Sequence, residues 1–232
     1  MSHQAPPPTP CPVFDVVVLA GGTGRRLGGV SKPDVLARGR RLLDHVLDGL
    51  GQLRAQGPGG PGRVVVVAPE QVSLPAGVLR ALEDPPLGGP VAGIAAGVLA
   101  LATDAEAGEG QPAEATALLA CDAPQAWRAL PVMAARLKAA LAEGRACDGV
   151  VGVQPQDDSG RHVQHLVGIY RTEALRALVA PGGVGLRDVS VHRTLGRLNL
   201  GYVDLAQEAG LDQAAQDLDT WEQVRQWERE GR

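Results

Sequence analysis

The sequence predicts an α/β fold, with helices layered on a mainly parallel sheet, and three observations carry that expectation. Near-continuous apolar runs recur at residues 13–20, 63–68 and 115–120, the character of strands buried on both faces. Segments with helical spacing separate these runs, so strand and helix alternate. With 232 residues, the chain is long enough for one such domain and a sizeable core.

Each element has a local reason. Residues 13–20 (VFDVVVLA) stop at Gly21-Gly22, and a loop follows through Pro33. Leu42, Leu43, Val46, Leu47 and Leu50 then recur on one helical face, with Gly51 read as the stop signal. A Gly/Pro turn over 57–62 introduces the second strand. Small residues over 91–102 predict a helix packed close to the sheet, ahead of the third strand. Leu130, Ala134, Leu137 and Leu141 form one stripe of a helix over 127–141, ended by Gly144. Further strands are expected at 149–153 and 163–170, and further helices at 172–179, 186–195 and 219–230, with loops at 108–112 and 154–160. No internal repeat divides the chain, so one domain over 13–232 is expected behind a polar, Pro-rich, disordered extension at 1–12.

Composition narrows the function. Hydrophobic residues make up 44%, but Phe 1, Tyr 2 and Trp 3 are the whole aromatic complement, so Val, Leu and Ala must build the core. Gly 31 and Pro 18 imply abundant turns within a folded chain. A net charge of −4 with so few aromatics supplies neither the basic groove nor the stacking platform of single-strand binders, so no nucleic-acid partner is expected. No apolar run approaches the roughly 20 residues of a membrane span, and the start lacks a signal-peptide pattern. A cytoplasmic location and no membrane partner are therefore expected. Cys11, Cys121 and Cys147 form neither a CxxC pair nor an even framework, which fits a reducing compartment without disulfides. Charge is unevenly spread: between Val16 and Leu43, Arg25, Arg26, Lys32, Arg38, Arg40 and Arg41 face a single acid, Asp34. An acidic chain that concentrates cations in one glycine-rich stretch is suited to a small anion there.

The densest motif is the segment LAGGTGRRLGGVSKP at 19–33. In a parallel sheet, ligands bind beyond the carboxyl ends of the strands, where this loop must sit. Its glycines let backbone N–H groups approach phosphate oxygens, and Arg26 and Lys32 add positive charge. The dinucleotide fingerprint G-x-G-x-x-G would need glycine at Leu27, and the acids some twenty residues on, Asp44 and Asp48, fall within a helix. A P-loop fails as well, because Ser31 precedes Lys32 and Pro33 follows it.

The segment resembles the glycine-loop signature of the molybdenum cofactor guanylyltransferase family. Arg26, Gly28 and Lys32 match it, Leu27 stands for methionine, Gly24 for serine, and Ser31 occupies a position that is often acidic. Glu83-Asp84 followed by Gly89-Pro90-Val91-Ala92-Gly93-Ile94 resembles the family's acidic residue and G-P-L-A-G segment, which in relatives lies against the base. Cys121-Asp122-Ala123-Pro124 resembles its C-D-x-P motif, and residues 215–222 (AQDLDTWE) resemble its late D-x-D-T segment. The resemblance implies a three-layer Rossmann-like fold of the nucleotide-diphospho-sugar transferase type. It implies transfer of GMP from GTP to the phosphate of a molybdopterin-type acceptor, with Mg²⁺ as cofactor and cofactor-delivery or molybdoenzyme proteins as partners. Carried onto this sequence, the catalytic residues are Arg26, Lys32 and Asp122, and the nucleotide-binding residues are Leu19, Ala20, Gly21, Gly22, Lys32, Asp84, Gly89 and Asp122. The metal residues are Asp122 and Asp219, with Asp217 the lesser candidate.

Plainer roles compete at several of these positions. An Asp after a strand is commonly a turn or helix cap, and Asp219 suits a cap of the last helix as well as a metal shell. His162 and His165 lie on the strand that resembles the family's acceptor side, yet they lack the clustered partners of a zinc site. His3, His45 and His192 read as solvated or structural, Cys121 as a small buried residue, and Trp221 and Trp227 as packing groups. Three other functions share parts of the pattern. A sister nucleotidyltransferase, using CTP for the same pterin or acting on another phosphorylated acceptor, would share the glycine loop and Asp122, a non-catalytic nucleotide binder would bind without releasing pyrophosphate, and a nicotinamide-dependent reductase would change cofactor absorbance.

Overall fold

The computed structural model describes residues 12–22, 24–57, 59–106, 112–156 and 160–230. The expected extension at 1–12 and the loop at 108–112 therefore lie almost wholly outside the described residues, as does Cys11.

The chain runs β1 (Val13–Leu19), β2 (Leu36–Ala37), β3 (Arg40–Arg41), α1 (Leu42–Ala55), β4 (Gly60–Val67), β5 (Leu79–Ala81), α2 (Pro90–Glu106) and β6 (Ala115–Ala120). It continues through α3 (Leu130–Ala142), β7 (Gly149–Gln156), β8 (Gly160–Arg171), α4 (Thr172–Val179), α5 (Val191–Leu195), β9 (Leu200–Asp204) and α6 (Trp221–Glu230). Seven strands form one sheet in the order β5-β4-β1-β6-β8-β7-β9, while β2 and β3 pair as a small antiparallel hairpin. β8 alone runs antiparallel to its neighbours β6 and β7; every other pairing in the large sheet is parallel. The expected mainly parallel sheet is thus present, with one reversed strand.

Two apolar cores explain the layering. α1 and α3 pack through Leu43, Val46, Leu50, Leu130 and Met133 against Phe14, Val16 and Val18 of β1 on one face. α2, α4 and α5 cover the other face, where Ile94, Val98, Leu175 and Leu195 meet Val17, Val65 and Leu118. The alternation of Val16, Val17 and Val18 between these cores is what a strand buried on both faces requires. Gly97 lets α2 lie against the sheet, since a Cβ there would fall 2.5 Å from the Val17 side chain. A third, smaller core joins Leu27, Val35, Ala37 and Leu42 to Leu218, Val224 and Trp227, tying the glycine loop to α6.

Several expectations need correction. Gly51 does not stop α1, which runs on to Ala55 because Leu53 still packs on the core. The expected helix over 186–195 forms only as α5. The residues before it break the helix: Asp188 adopts a left-handed backbone, φ 53°, and its N–H donates to the Gly88 carbonyl at 2.8 Å. Ser190 then caps α5, its side chain accepting from the Arg193 N–H. The expected loop at 154–160 is strand at both ends, as β7 reaches Gln156 and β8 begins at Gly160. The short strands β5 and β9 carry no strong pattern in the sequence and are stabilised by pairing with β4 and β7.

β8 carries a local irregularity that bears on the site. Gly168 pairs with Val151 and Gln164 with Gly152, so residues 165–167 bulge out of the β7–β8 ladder. Such bulges re-aim side chains. The Tyr170 hydroxyl donates to the His165 carbonyl at 2.8 Å across it.

Candidate active site

The carboxyl ends of β1 and β6 are adjacent, and the loops that leave them build the site. The Cys121 N–H donates to the Leu19 carbonyl at 3.0 Å, and the Ala20 N–H to the Val67 carbonyl at 2.9 Å, which fixes both loops on the sheet edge. Beyond them the glycine loop folds back on itself: the Leu27 and Gly29 N–H groups both donate to the Gly24 carbonyl. Glycine is required at 24, where φ is +31° and a Cβ would fall 2.1 Å from the Val30 carbonyl oxygen.

A cleft of about 480 Å³ opens over this edge, lined in part by Leu19, Gly21, Gly22, Lys32, Gly89 and Asp122. That volume is in the range of small-molecule sites. These are residues that the sequence marks for nucleotide binding, brought together from three separate segments. Ala20 is not at the surface of the cleft; it is buried beneath the loop in the core with Val18 and Ala68. Asp84 also lies elsewhere, exposed beside a separate hollow with Arg80 and Arg187. Its neighbour Glu83 borders both that hollow and the cleft, and its Oε1 accepts from the Leu87 N–H at 3.0 Å. Leu87 and Leu166 line the cleft without having been singled out in the sequence. Leu166 reaches it from the β8 bulge, a long-range placement that no local motif signals.

The charged centre is Lys32. Its ammonium donates to Asp122 Oδ2 at 2.6 Å and to Asp219 Oδ1. Burial alone would lower the Lys32 pKa, but the hydrogen bonds and charges of Asp122 and Asp219 outweigh it and raise it above the ordinary lysine value. Arg26 stands outside this contact, its guanidinium 3.6 Å from Asp219 and its side chain 76% exposed. The Leu218 N–H donates to the Asp122 carbonyl at 2.8 Å, pinning the segment before α6 beside the β6 loop. Asp217 follows from the same pinning: crowding by the protein, and then the negative charges of Asp122 and Asp219, push its carboxyl up to about 6 against the opposing Lys32.

The two roles open for Asp219 are separated here. Thr220, not Asp219, caps α6: its hydroxyl accepts from the Gln223 N–H at 3.2 Å, while Gln223 Oε1 accepts from the Thr220 N–H at 2.9 Å. This reciprocal capping box leaves the Asp219 carboxylate free to face Lys32. Asp122 and Asp219 therefore converge on one cation from two loops. Mg²⁺ characteristically takes one or two carboxylates and completes its shell with phosphate oxygens and water, and this donor set fits it. Among the described residues, no group of three or more His, Cys, Asp and Glu side chains forms a ready-made metal cage.

Other cations near the loop have structural partners. Arg38 stacks over Trp227 and donates to its carbonyl, Arg40 pairs with Asp48, and Arg41 pairs with Asp34 and Asp44. The local excess of positive charge in the sequence thus overstates what reaches the cleft. Cys121 lines the cleft, but burial pushes its thiol well above the ordinary value, which disfavours the nucleophilic thiolate. His162 is exposed. His165 is buried, its ring nitrogens have no hydrogen-bond partner among the described residues, and it packs edge-on to His192, their centroids 5.3 Å apart. Burial, and then His192 and His162, lower its pKa to about 4. It is Leu166, the next residue, that lines the cleft.

Comparison with known proteins bears on this geometry. A family model described as "MobA-like NTP transferase domain" matches residues 16–195. A molybdenum cofactor guanylyltransferase of Acidiphilium cryptum (strain JF-5) is 58% identical over 31 residues, a stretch covering 13% of this chain and 16% of that protein. Molybdopterin-guanine dinucleotide biosynthesis protein A from Archaeoglobus fulgidus shares the fold with a TM-score of 0.59 at 21% identity, covering 94% of this chain and 98% of that one. 2-C-methyl-D-erythritol 4-phosphate cytidylyltransferase from Thermus thermophilus also has a TM-score of 0.59, at 17% identity over 93% of this chain and 97% of that one. Among the described residues, no helix is long and apolar enough to cross a membrane.

Proposed function

The chain belongs to the family of MobA-like NTP transferase domains, and from that premise we propose that it transfers GMP from GTP to the phosphate of a molybdopterin-type acceptor, releasing pyrophosphate. One observation carries the reading: Lys32, Asp122 and Asp219 meet at a glycine-lined cleft on the carboxyl edge of the sheet. A polyphosphate needs close backbone approach, a nearby cation and carboxylates able to share a divalent ion, and this cleft has all three. The guanine and molybdopterin specificity rests on the named relative and on the G-P-V-A-G and C-D-A-P segments.

The chemistry asked of the protein is positioning and charge control. A phosphate oxygen of the acceptor attacks the α-phosphorus of GTP in line, the bond from that phosphorus to the bridging oxygen breaks, and pyrophosphate leaves with the electron pair. No protein nucleophile is needed, because the attacking phosphate is already ionised. Gly21 and Gly22 leave room for the phosphates, and the Lys32 ammonium and Arg26 guanidinium offset their charge as the leaving group forms. Asp122 and Asp219 would hold Mg²⁺, which supplies Lewis-acid polarisation and charge neutralisation at the phosphates. Leu19 and Leu166 add apolar surface to the cleft wall.

Pyrophosphate release is the direct assay. Purified protein with Mg²⁺ is given GTP, CTP, ATP or UTP, with and without molybdopterin carrying molybdate. Release with GTP that requires the acceptor is the expected result. Acceptor-dependent release with CTP would replace the guanylyl reading by a cytidylyl one, and wild-type release by Asp122→Ala would remove Asp122 from the machinery.

A further inference from the structure

The arrangement of Lys32 has a bearing on how the site is loaded. Its ammonium sits between Asp122 and Asp219, with the three side chains only 19%, 17% and 31% exposed. An ammonium has three donors, and two of them are spent on the very oxygens that suit a divalent metal. The lysine backbone is fixed, because residues 32–34 form a 3₁₀ turn with Pro33 buried. The stem has space beside it: Gly22 lies alongside, where a Cβ would come within 3.3 Å of Lys32 Cδ. The ammonium can therefore move toward the glycine loop without any change in the sheet.

We propose that Lys32 is the resident counter-cation of the Asp122–Asp219 pair, so that the site takes up a divalent metal only together with a polyphosphate, as the metal–nucleoside triphosphate complex. A free divalent ion approaching the pair meets an ammonium at contact distance, in a place where solvent screens the repulsion poorly. A triphosphate on the glycine loop gives the ammonium new acceptors and releases both carboxylates in the same event. Nucleotide then raises metal affinity, and metal raises nucleotide affinity by the same factor. The proposal deepens the nucleotidyl-transfer reading and rests on it for the identity of the polyphosphate. A lysine that merely held two loops together would differ in one respect: its removal would loosen the protein without creating a better metal site.

Mn²⁺ binding without nucleotide tests this, read by the electron paramagnetic resonance of free Mn²⁺ on wild type, Lys32→Met and Lys32→Met with Asp122→Asn. Lys32→Gln serves in place of Lys32→Met if the latter does not give a cooperative melt. The expected result is that Lys32→Met binds Mn²⁺ alone at least about tenfold more tightly than wild type, and that adding Asp122→Asn abolishes the gain. Equal affinity of wild type and Lys32→Met, or a gain that survives Asp122→Asn, would overturn the proposal. Failure of wild type to release pyrophosphate from any triphosphate would refute the functional reading alone, since the Mn²⁺ comparison uses no nucleotide.

Discussion

Asp219 and Thr220 are adjacent in sequence, and the structure gives them separable jobs. Thr220→Ala removes the hydroxyl that accepts from the Gln223 N–H and so opens the capping box of α6. Loss of such a cap costs about 1 kcal/mol, which in a chain of this size lowers the melting temperature by about 2–4 °C. Asp219→Ala keeps the cap, because Gln223 Oε1 bonds the Asp219 backbone N–H at 2.9 Å and not its side chain. Its stability cost is confined to a partly exposed ion pair, at most about 1 kcal/mol. Turnover should separate the two far more widely. Asp219→Ala removes one of two carboxylates facing Lys32, and loss of one preorganised charge-stabilising group costs about 10²–10³ in rate. Thr220→Ala leaves both carboxylates in place and should stay within a few-fold of wild type. The assays are urea denaturation for both variants and pyrophosphate release at saturating GTP and acceptor. If Thr220→Ala lost as much turnover as Asp219→Ala, Asp219 would act by anchoring α6. If Asp219→Ala kept wild-type release, the carboxylate would have no part in the reaction.

Two further predictions concern the frame around the site. His165 titrates near 4 when folded against an ordinary value of 6.5, so the unfolded chain binds the extra proton first. Its contribution is fully present above about pH 6.5 and is lost as the pH falls toward 4, by up to roughly 3 kcal/mol; His165→Phe should flatten that part of a stability-versus-pH curve, and an unchanged slope would show that other groups dominate. In α1, Gly49 and Gly51 should respond oppositely to alanine. A Cβ at Gly49 would lie 2.2 Å from the Trp127 indole, whereas nothing lies within 4 Å of one at Gly51. Gly49→Ala should destabilise by about 1–3 kcal/mol and Gly51→Ala should stabilise by up to about 1 kcal/mol, with equal denaturation midpoints arguing against the Trp127 contact.

How much of this was legible in the sequence depended on the range of the signal. β1, β4 and β6 announce themselves as unbroken apolar runs, because strands buried on both faces need no alternation. Their loops follow directly, and with them Gly21, Gly22, Lys32 and Asp122. The triad of Lys32, Asp122 and Asp219 was present as candidates, but the sequence left Asp219 between cap and metal shell; Gln223, four residues on, is the local cue that assigns the cap to Thr220. Glu83 and Asp84 carry the same chemistry in the sequence, and only the folded loop shows that Glu83 borders the cleft while Asp84 does not. β5, β9 and the bulge of β8 are products of pairing across the sheet, which leaves no periodic trace in their own residues. The cations Arg38, Arg40 and Arg41 misled for a related reason: their partners Trp227, Asp48 and Asp44 become neighbours only on folding or along one helical turn.

The third core, between the glycine loop and α6, has a consequence for where this protein can be divided. The family match ends at residue 195, and a boundary could be drawn there on that ground alone. It would discard Asp219, strip Leu218, Val224 and Trp227 from Leu27 and Leu42, and leave Lys32 with a single carboxylate. Trp221 adds a further tie, its indole N–H donating to the Leu27 carbonyl at 3.2 Å. The final ten-residue helix is therefore a wall of the glycine loop, supplied from the far end of the sequence.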